Sequence, residues 1–288
     1  MKAIYKREVQ SFFNSMMGWV FIAALTVFIG IYFMAYNLLG GVPYFSTALA
    51  NVLFIFMVLV PILTMRTMAE ERHSKTDQLL LTSPATVTGV ILGKYLALLT
   101  VFAVPMLLSC LCPLIIKLNG TAFLLADYAS IFAFFLLGAV EIAIGLLISA
   151  LTESQIIAAV GTFFILLVLY LWDGLVGYLP ATAVGSLVGL FVLLIVICLL
   201  LNALSNNWNI SLYTLLIGAA ALIGFYIRNN ALYKGLLAKV LGKFSPLAAF
   251  KSFANDHVFD ISGALLYVSL IALLIFLTVQ VLQKRRWN

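Results

Sequence analysis

Eight stretches of the chain run apolar on every side: Met17–Leu39, Phe45–Thr64, Val90–Ile116, Tyr128–Leu151, Ile156–Trp172, Ala183–Leu204, Ile210–Ile227 and Gly263–Leu282. A helix rises about 1.5 Å per residue, so about 20 mostly apolar residues cross the hydrocarbon of a bilayer. The fifth and seventh runs are the shortest. Membrane strands would alternate polar and apolar residues, and these runs do not. The pattern therefore predicts an all-α fold, a polytopic transmembrane bundle of about eight spans forming one domain over 1–288. Ahead of the first run, "MKAIYKREVQSFFNS" sets Ile4, Val9, Phe12 and Phe13 against Lys2, Lys6 and Arg7. It is too polar for the core of a cleaved signal and reads as a helix over 1–16 lying in the cytoplasmic interface.

Composition agrees with the pattern. The chain is 65% hydrophobic and only 9% charged, with a mean hydropathy of +1.18, which a soluble core has no use for. Cys110, Cys112 and Cys198 all fall inside apolar runs and read as small buried hydrophobes, not as a disulfide framework or zinc site. Lys and Arg accumulate on the cytoplasmic side. With both termini inside, Lys2, Lys6, Arg7, Arg66, Arg72, Lys75, Lys94, Lys284, Arg285 and Arg286 are cytoplasmic, against Lys117, Arg228, Lys234, Lys239, Lys243 and Lys251 outside. The outer positives concentrate in a loop over 228–262. There Leu232, Leu236, Leu237, Val240, Leu241 and Phe244 recur at near-helical spacing and predict short interfacial helices.

Against so apolar a background, the loop over 65–89 stands out. It gathers Arg66, Glu70, Glu71, Arg72, His73, Lys75 and Asp77 on the cytoplasmic side. "MRTMAEERHSKTDQLLL" holds no Gly or Pro and predicts a helix, with Leu79, Leu80 and Leu81 available to dock it. Thr82, Ser83 and Pro84 end it, and Thr86 or Thr88 is placed to cap the next helix.

Enzyme chemistry finds little to stand on. "GVILGKY" (Gly89–Tyr95) is one residue short of a phosphate-binding loop and ends in Tyr, while "VLGKFS" (Val240–Ser245) lacks the first Gly. The two histidines, His73 and His257, fall on opposite faces of the membrane, and no metal-ligand spacing or nucleophile with a neighbouring base is visible. No catalytic or metal-binding residue is assigned. Glu141 is an acid near the middle of the fourth run. A carboxylate there costs roughly 3 kcal/mol on insertion scales, so it faces other helices, either as a structural hydrogen-bonding group or as a polar group in a path or seam. Gly138, Ala139, Ala143 and Gly145 beside it permit close packing.

"AEERHSKTDQLLLTSP" followed by "GVILGKYLALLTVF", together with "AIGLLISALTESQIIAA" (Ala143–Ala159) and "FSPLAAFKSFANDHVFD" ahead of a last span ending "VLQKRRW", resembles the permease subunits of type-2 ATP-binding-cassette (ABC) exporters. The likeness is to the branch with the gliding-motility and nitrous-oxide-reductase maturation permeases, over about residues 1–180 and from about 243 onward. It implies a multi-pass cell-membrane subunit with no cofactor of its own, ATP and Mg being bound by a separate cytoplasmic ABC ATPase. A second permease chain would complete the conduit, and no nucleic acid is involved. It also implies that the charged loop is a coupling helix docking on the ATPase, through Glu70, Glu71, Arg72, Thr76, Gln78 and Leu79, with Glu153 on the next cytoplasmic connection as a smaller contact. Some relatives use ATP for work on an extracytoplasmic auxiliary protein. The chain departs from the pattern at Lys75, where Gly is usual, and at Gln78, where an acid is usual. It also has a membrane insert over 183–239, where the family usually has six spans. An ion-coupled carrier and a non-transporting membrane anchor are the alternatives from other classes.

Overall fold

Where the N-terminal polar segment meets the first apolar run, Ser15 takes an extended backbone (φ −92°, ψ 149°) between α1 (Lys2–Asn14) and α2 (Met16–Tyr32). The corner is held tightly. The Trp19 indole donates to the Phe13 carbonyl at 2.8 Å, and Gly18 lies so close beneath the Phe12 carbonyl that a Cβ would collide with backbone. The interfacial helix expected over 1–16 is thus a separate amphipathic helix joined to the first span by a rigid elbow. In this computed structural model the described residues are 1–76, 86–205, 208–228, 233–243, 245–255 and 260–287.

Helices follow in the order the apolar runs predict. α2 ends in a π-helical turn, Phe33–Leu39. Next come α3 (Ser46–Thr64), α4 (Arg66–His73), α5 (Val87–Ser109), α6 (Leu111–Asn119), α7 (Leu124–Leu151), α8 (Gln155–Gly177), α9 (Ala183–Ser205), α10 (Trp208–Arg228), α11 (Leu236–Gly242), α12 (Pro246–Asn255) and α13 (Ile261–Trp287). Among the described residues, six helices are long and apolar enough to cross a membrane: Met16–Leu39, Ser46–His73, Val87–Asn119, Leu124–Leu151, Gln155–Gly177 and Ile261–Lys284. The two further runs expected to span fold as α9 and α10. Within the stretch 228–262 the described residues form two short helices, α11 at the leucine-spaced positions and α12 after them.

The chain divides into two compact units, Met1–Tyr170 with Ala249–Asn288, and Leu171–Ala248. In the first, α7 is the central post, packed by α3, α5 and α13. Its core is aromatic: Phe56 lies 4.9 Å from Phe102 and 5.2 Å from Phe134, which in turn meets Phe250 edge-on at 5.8 Å. The small residues expected to allow close approach do so, since Gly138 sits directly against Phe102 and Phe56, and Gly145 against Thr64. In the second unit α9 and α10 pair, with Gly218 against Leu194 and Gly189 against Leu237. Trp172 donates to the Leu241 carbonyl at 2.9 Å, and Ser245 to Asp173 at 2.6 Å.

The charged loop departs from expectation in one respect. The helix predicted through Leu81 stops at His73, and Ser74–Thr76 form a turn. Lys75 is the cause: it adopts φ 57°, the left-handed region, and closes a helix-ending turn in which its N–H donates to the Arg72 carbonyl at 3.1 Å. The Ser74 hydroxyl takes the Glu70 carbonyl at 2.8 Å and the Thr76 hydroxyl takes that of Glu71 at 3.3 Å. This is the position where the similar permeases carry Gly, the residue that enters this region without a Cβ penalty. Lys75→Gly is accordingly expected to stabilise the turn by about 1 kcal/mol, read as a higher melting midpoint in detergent. A lower midpoint would mean that the lysine side chain contributes more than its backbone costs. Gln78 and Leu79 lie outside the described residues. Beyond them Thr86 caps α5, accepting from the Gly89 N–H at 3.2 Å.

Candidate functional site

The charged residues of α4 are organised by the helix face on which they lie. Thr67, Met68 and Ala69 are buried, and Glu71 and Arg72 follow Met68 by three and four residues, so they share its inward side. Arg66 and Glu70, four apart, pair on the outer side, the guanidinium donating two bonds of 2.7 Å to the carboxylate.

Two sets of bonds fasten α4 to the bundle. The first comes from the end of α7. Fully buried Ser149 accepts the N–H groups of Met68 and Ala69, each at 3.1 Å, and donates to the Met65 carbonyl at 3.1 Å. These N–H groups belong to the first turn of α4, where a helix has no internal acceptors, so Ser149 caps α4 from another helix. Arg72 adds a second tie, donating to the Ala150 carbonyl at 2.8 Å and pairing with Glu153 at 3.1 Å. A cation at the carbonyl end of α7 is also favoured by the helix dipole.

The second set centres on Lys94, in the first two turns of α5. Its side chain is only 1% exposed, and its ammonium donates to Glu71 at 2.8 Å, to the Thr67 carbonyl at 2.9 Å and to Glu8 at 3.3 Å. All three ammonium hydrogens therefore have an acceptor, which is what offsets the several kcal/mol of desolvating such an ion. Arg7 closes the ring by pairing with Glu8 at 2.8 Å and Glu71 at 3.2 Å. The Glu8 hydrogen bond is the main reason the Arg7 guanidinium is held above its ordinary pKa. Two cations and two carboxylates thus join α1, α4 and α5 with no net charge. A polar cavity of about 450 Å³ opens beside them, lined by Arg7, Glu8, Arg66, Glu70, Glu71 and Lys94 among others.

Of the residues singled out in the sequence, Glu70, Glu71, Arg72 and Glu153 come together here, Thr76 ends the same element, and Gln78 and Leu79 are not described. His73, Ser74, Lys75 and Thr76 form an exposed tip. Arg7, Glu8, Lys94 and Ser149 are members that the sequence reading did not pick out. A signal existed for Lys94: an ionisable residue about one turn inside the apolar run Val90–Ile116 requires a partner. Glu141 lies away from this cluster on α7. It is half-buried, its Oε2 is shielded from solvent and has no hydrogen-bond partner among the described residues, and the phenol of fully buried Tyr267 on α13 lies within its electrostatic reach. Among the described residues no group of His, Cys, Asp and Glu side chains could hold a metal ion.

Comparison with known proteins gives one finding. A family model described as ABC-2 family transporter protein matches residues 9–214, a stretch that holds every residue of the α4 cluster except Arg7 and Glu8. No curated protein matches the chain.

Proposed function

The chain belongs to the ABC-2 transporter family, and from that premise we propose that it is the membrane subunit of an ATP-driven exporter in which α4 is the coupling helix. Permeases of this family act with ATPase subunits, so ATP is hydrolysed by a separate cytoplasmic chain. The observation that carries the reading is the way α4 is held. One side is fastened to α7 through Ser149 and Arg72, the other to α1 and α5 through Lys94, Glu71 and Glu8. Its tip, His73–Thr76, is exposed. A short helix fastened at its base to α1, α5 and α7 and exposed at its tip works as a lever: displacement of the tip is passed to two membrane helices, α5 and α7, and to the interfacial helix α1.

Within this reading, ATPase docking uses the exposed tip together with Glu70 and Glu153, and extends into Gln78 and Leu79. Charges of this rim type set register and specificity more than affinity. Glu71 and Arg72 serve inside the lever, transmitting movement. The protein spans the cell membrane about eight times with α9 and α10 included, keeps both termini in the cytoplasm, and pairs with a second permease chain to form the conduit.

The double variant Glu71→Ala/Arg72→Ala tests the lever. It cuts ties on both sides of α4 and leaves the exposed tip residues in place. The assembled transporter is expected to insert normally and to lose at least tenfold in ATP-driven activity in proteoliposomes, with ATPase recovery in a pull-down reduced. Activity and recovery equal to the parent would overturn the coupling role of α4.

A further inference from the structure

On the side of α1 away from the Lys94 cluster, the helix and its neighbours leave a groove of about 640 Å³. We propose that this groove binds an anionic phospholipid of the cytoplasmic leaflet, its acyl chain on the apolar floor and its phosphate at Lys2 and Lys6.

The floor is built from helical spacing. On α5, Leu99 and Thr100 follow Leu96 by three and four residues, and Ala103 follows them by four and three, so the four share one face. Ala103 is the small member and makes the hollow, and Phe135 of α7 forms the far wall. α1 closes the other side. Ile4 packs over Gly93, where an added Cβ would come within 3.2 Å of the isoleucine, and the Tyr5 hydroxyl and the Thr100 hydroxyl are hydrogen-bonded at 2.9 Å. That bond satisfies the polar groups at the groove's edge, so the floor presents hydrocarbon, and Leu96 is 38% exposed there.

The rim supplies the choice of occupant. Of the cations on α1, Arg7 is held by Glu8 and Glu71. Lys2 and Lys6 are exposed and take part in no ion pair among the described residues. Four residues apart, they stand one turn from each other along the helix, and Lys2 lines the groove itself. A zwitterionic lipid would fill the floor and leave both ammonium groups without net attraction. A lipid with net negative charge uses floor and rim together, and a lysine near such a surface favours it by about fivefold. The inference rests on the proposed sidedness, which puts α1 at the cytoplasmic leaflet.

The test uses the full transporter complex in nanodiscs of equal phosphatidylcholine and phosphatidylglycerol, with the lipids retained after detergent extraction identified by native mass spectrometry. The parent is expected to retain phosphatidylglycerol at least tenfold over phosphatidylcholine. Lys2→Glu/Lys6→Glu, a surface change that leaves the floor intact, is expected to abolish the preference. Ala103→Trp fills the hollow and is expected to reduce retention of both lipids. Equal retention by the parent, or an unchanged preference in the double lysine variant, overturns the proposal. So does a disulfide between two copies of Ala103→Cys, which would mean that protein fills the groove. Labelling of Ser74→Cys in sealed cells separates this from the coupling reading: labelling from outside alongside a persistent phosphatidylglycerol preference would sink the sidedness and spare the lipid site.

Discussion

Lys94→Met is expected to destabilise the subunit by about 3 kcal/mol, a loss within the range for removing one partner of a buried ion pair. The side chain is 1% exposed, and its three acceptors converge from α1 and α4. Methionine matches its length and supplies no donor. It removes the Thr67 carbonyl's second hydrogen bond and leaves two carboxylates facing each other with Arg7 as their shared cation. Glu8 and Glu71 keep some access to water, at 13% and 19% exposure, which holds the cost to the lower part of the range. Lys94→Arg is no rescue, because a planar five-donor fork does not fit acceptors arranged around a compact ammonium. Lys94→Met/Glu71→Gln is the informative partner. With one carboxylate neutralised, the repulsion falls and part of the stability returns, so the two changes are non-additive. Melting midpoints of the two single variants and the double variant in detergent give the coupling directly. Strict additivity would mean that Lys94 and Glu71 do not act as a pair.

The same network marks the limit of what the residues alone convey. Length and all-round apolarity place the membrane helices, because those two properties are the physical requirement for crossing a bilayer. The elbow after residue 15 and the Thr86 cap are likewise local matters of polarity and side-chain oxygen placement. The facing of α4 is different. Glu71 and Arg72 read as charges for a soluble partner, yet both turn inward, because the bundle offers Lys94, Arg7 and the Ala150 carbonyl to receive them. Buried Thr67 and Met68 mark that face, and the step of three and four residues from Met68 would have assigned Glu71 and Arg72 to it. Ser149 carried no such mark. A serine near the end of an apolar helix is unremarkable until another helix is found starting beside it. Lys75 is the reverse case: the absence of Gly and Pro argued for an unbroken helix, and the break comes from a lysine in a conformation that glycine would enter freely.

Asp127→Ala is expected to cost about 2 kcal/mol, in the range for a hydrogen bond to a charged group, and to act at the opposite end of α3 from the α4 cluster. α3 begins at Ser46 with no side-chain cap of its own. The cap comes from Asp127, 0% exposed in the first turn of α7, whose Oδ1 accepts the Phe45 N–H at 2.8 Å. A carboxylate there also meets the positive end of the α3 dipole. Two further bonds lock the same corner to α12: Ser46 donates to the Ala254 carbonyl at 2.8 Å and Ser130 to that of Phe253 at 3.1 Å. Alanine would strand the Phe45 N–H in a buried site and loosen three helices together. Asp127→Asn keeps an acceptor oxygen for Phe45, but it places an amide beside the shielded Oδ2 position, which has no hydrogen-bond partner among the described residues. It should therefore fall between parent and alanine. The 19 residues of α3 put this corner roughly 28 Å from α4, so Asp127→Ala is expected to lower the melting midpoint and speed hydrogen exchange at Phe45 while ATPase recovery in a pull-down stays at the parent level. Loss of ATPase binding at unchanged stability would mean that the two ends of α3 communicate, and that Asp127 belongs to the coupling path rather than to a structural corner.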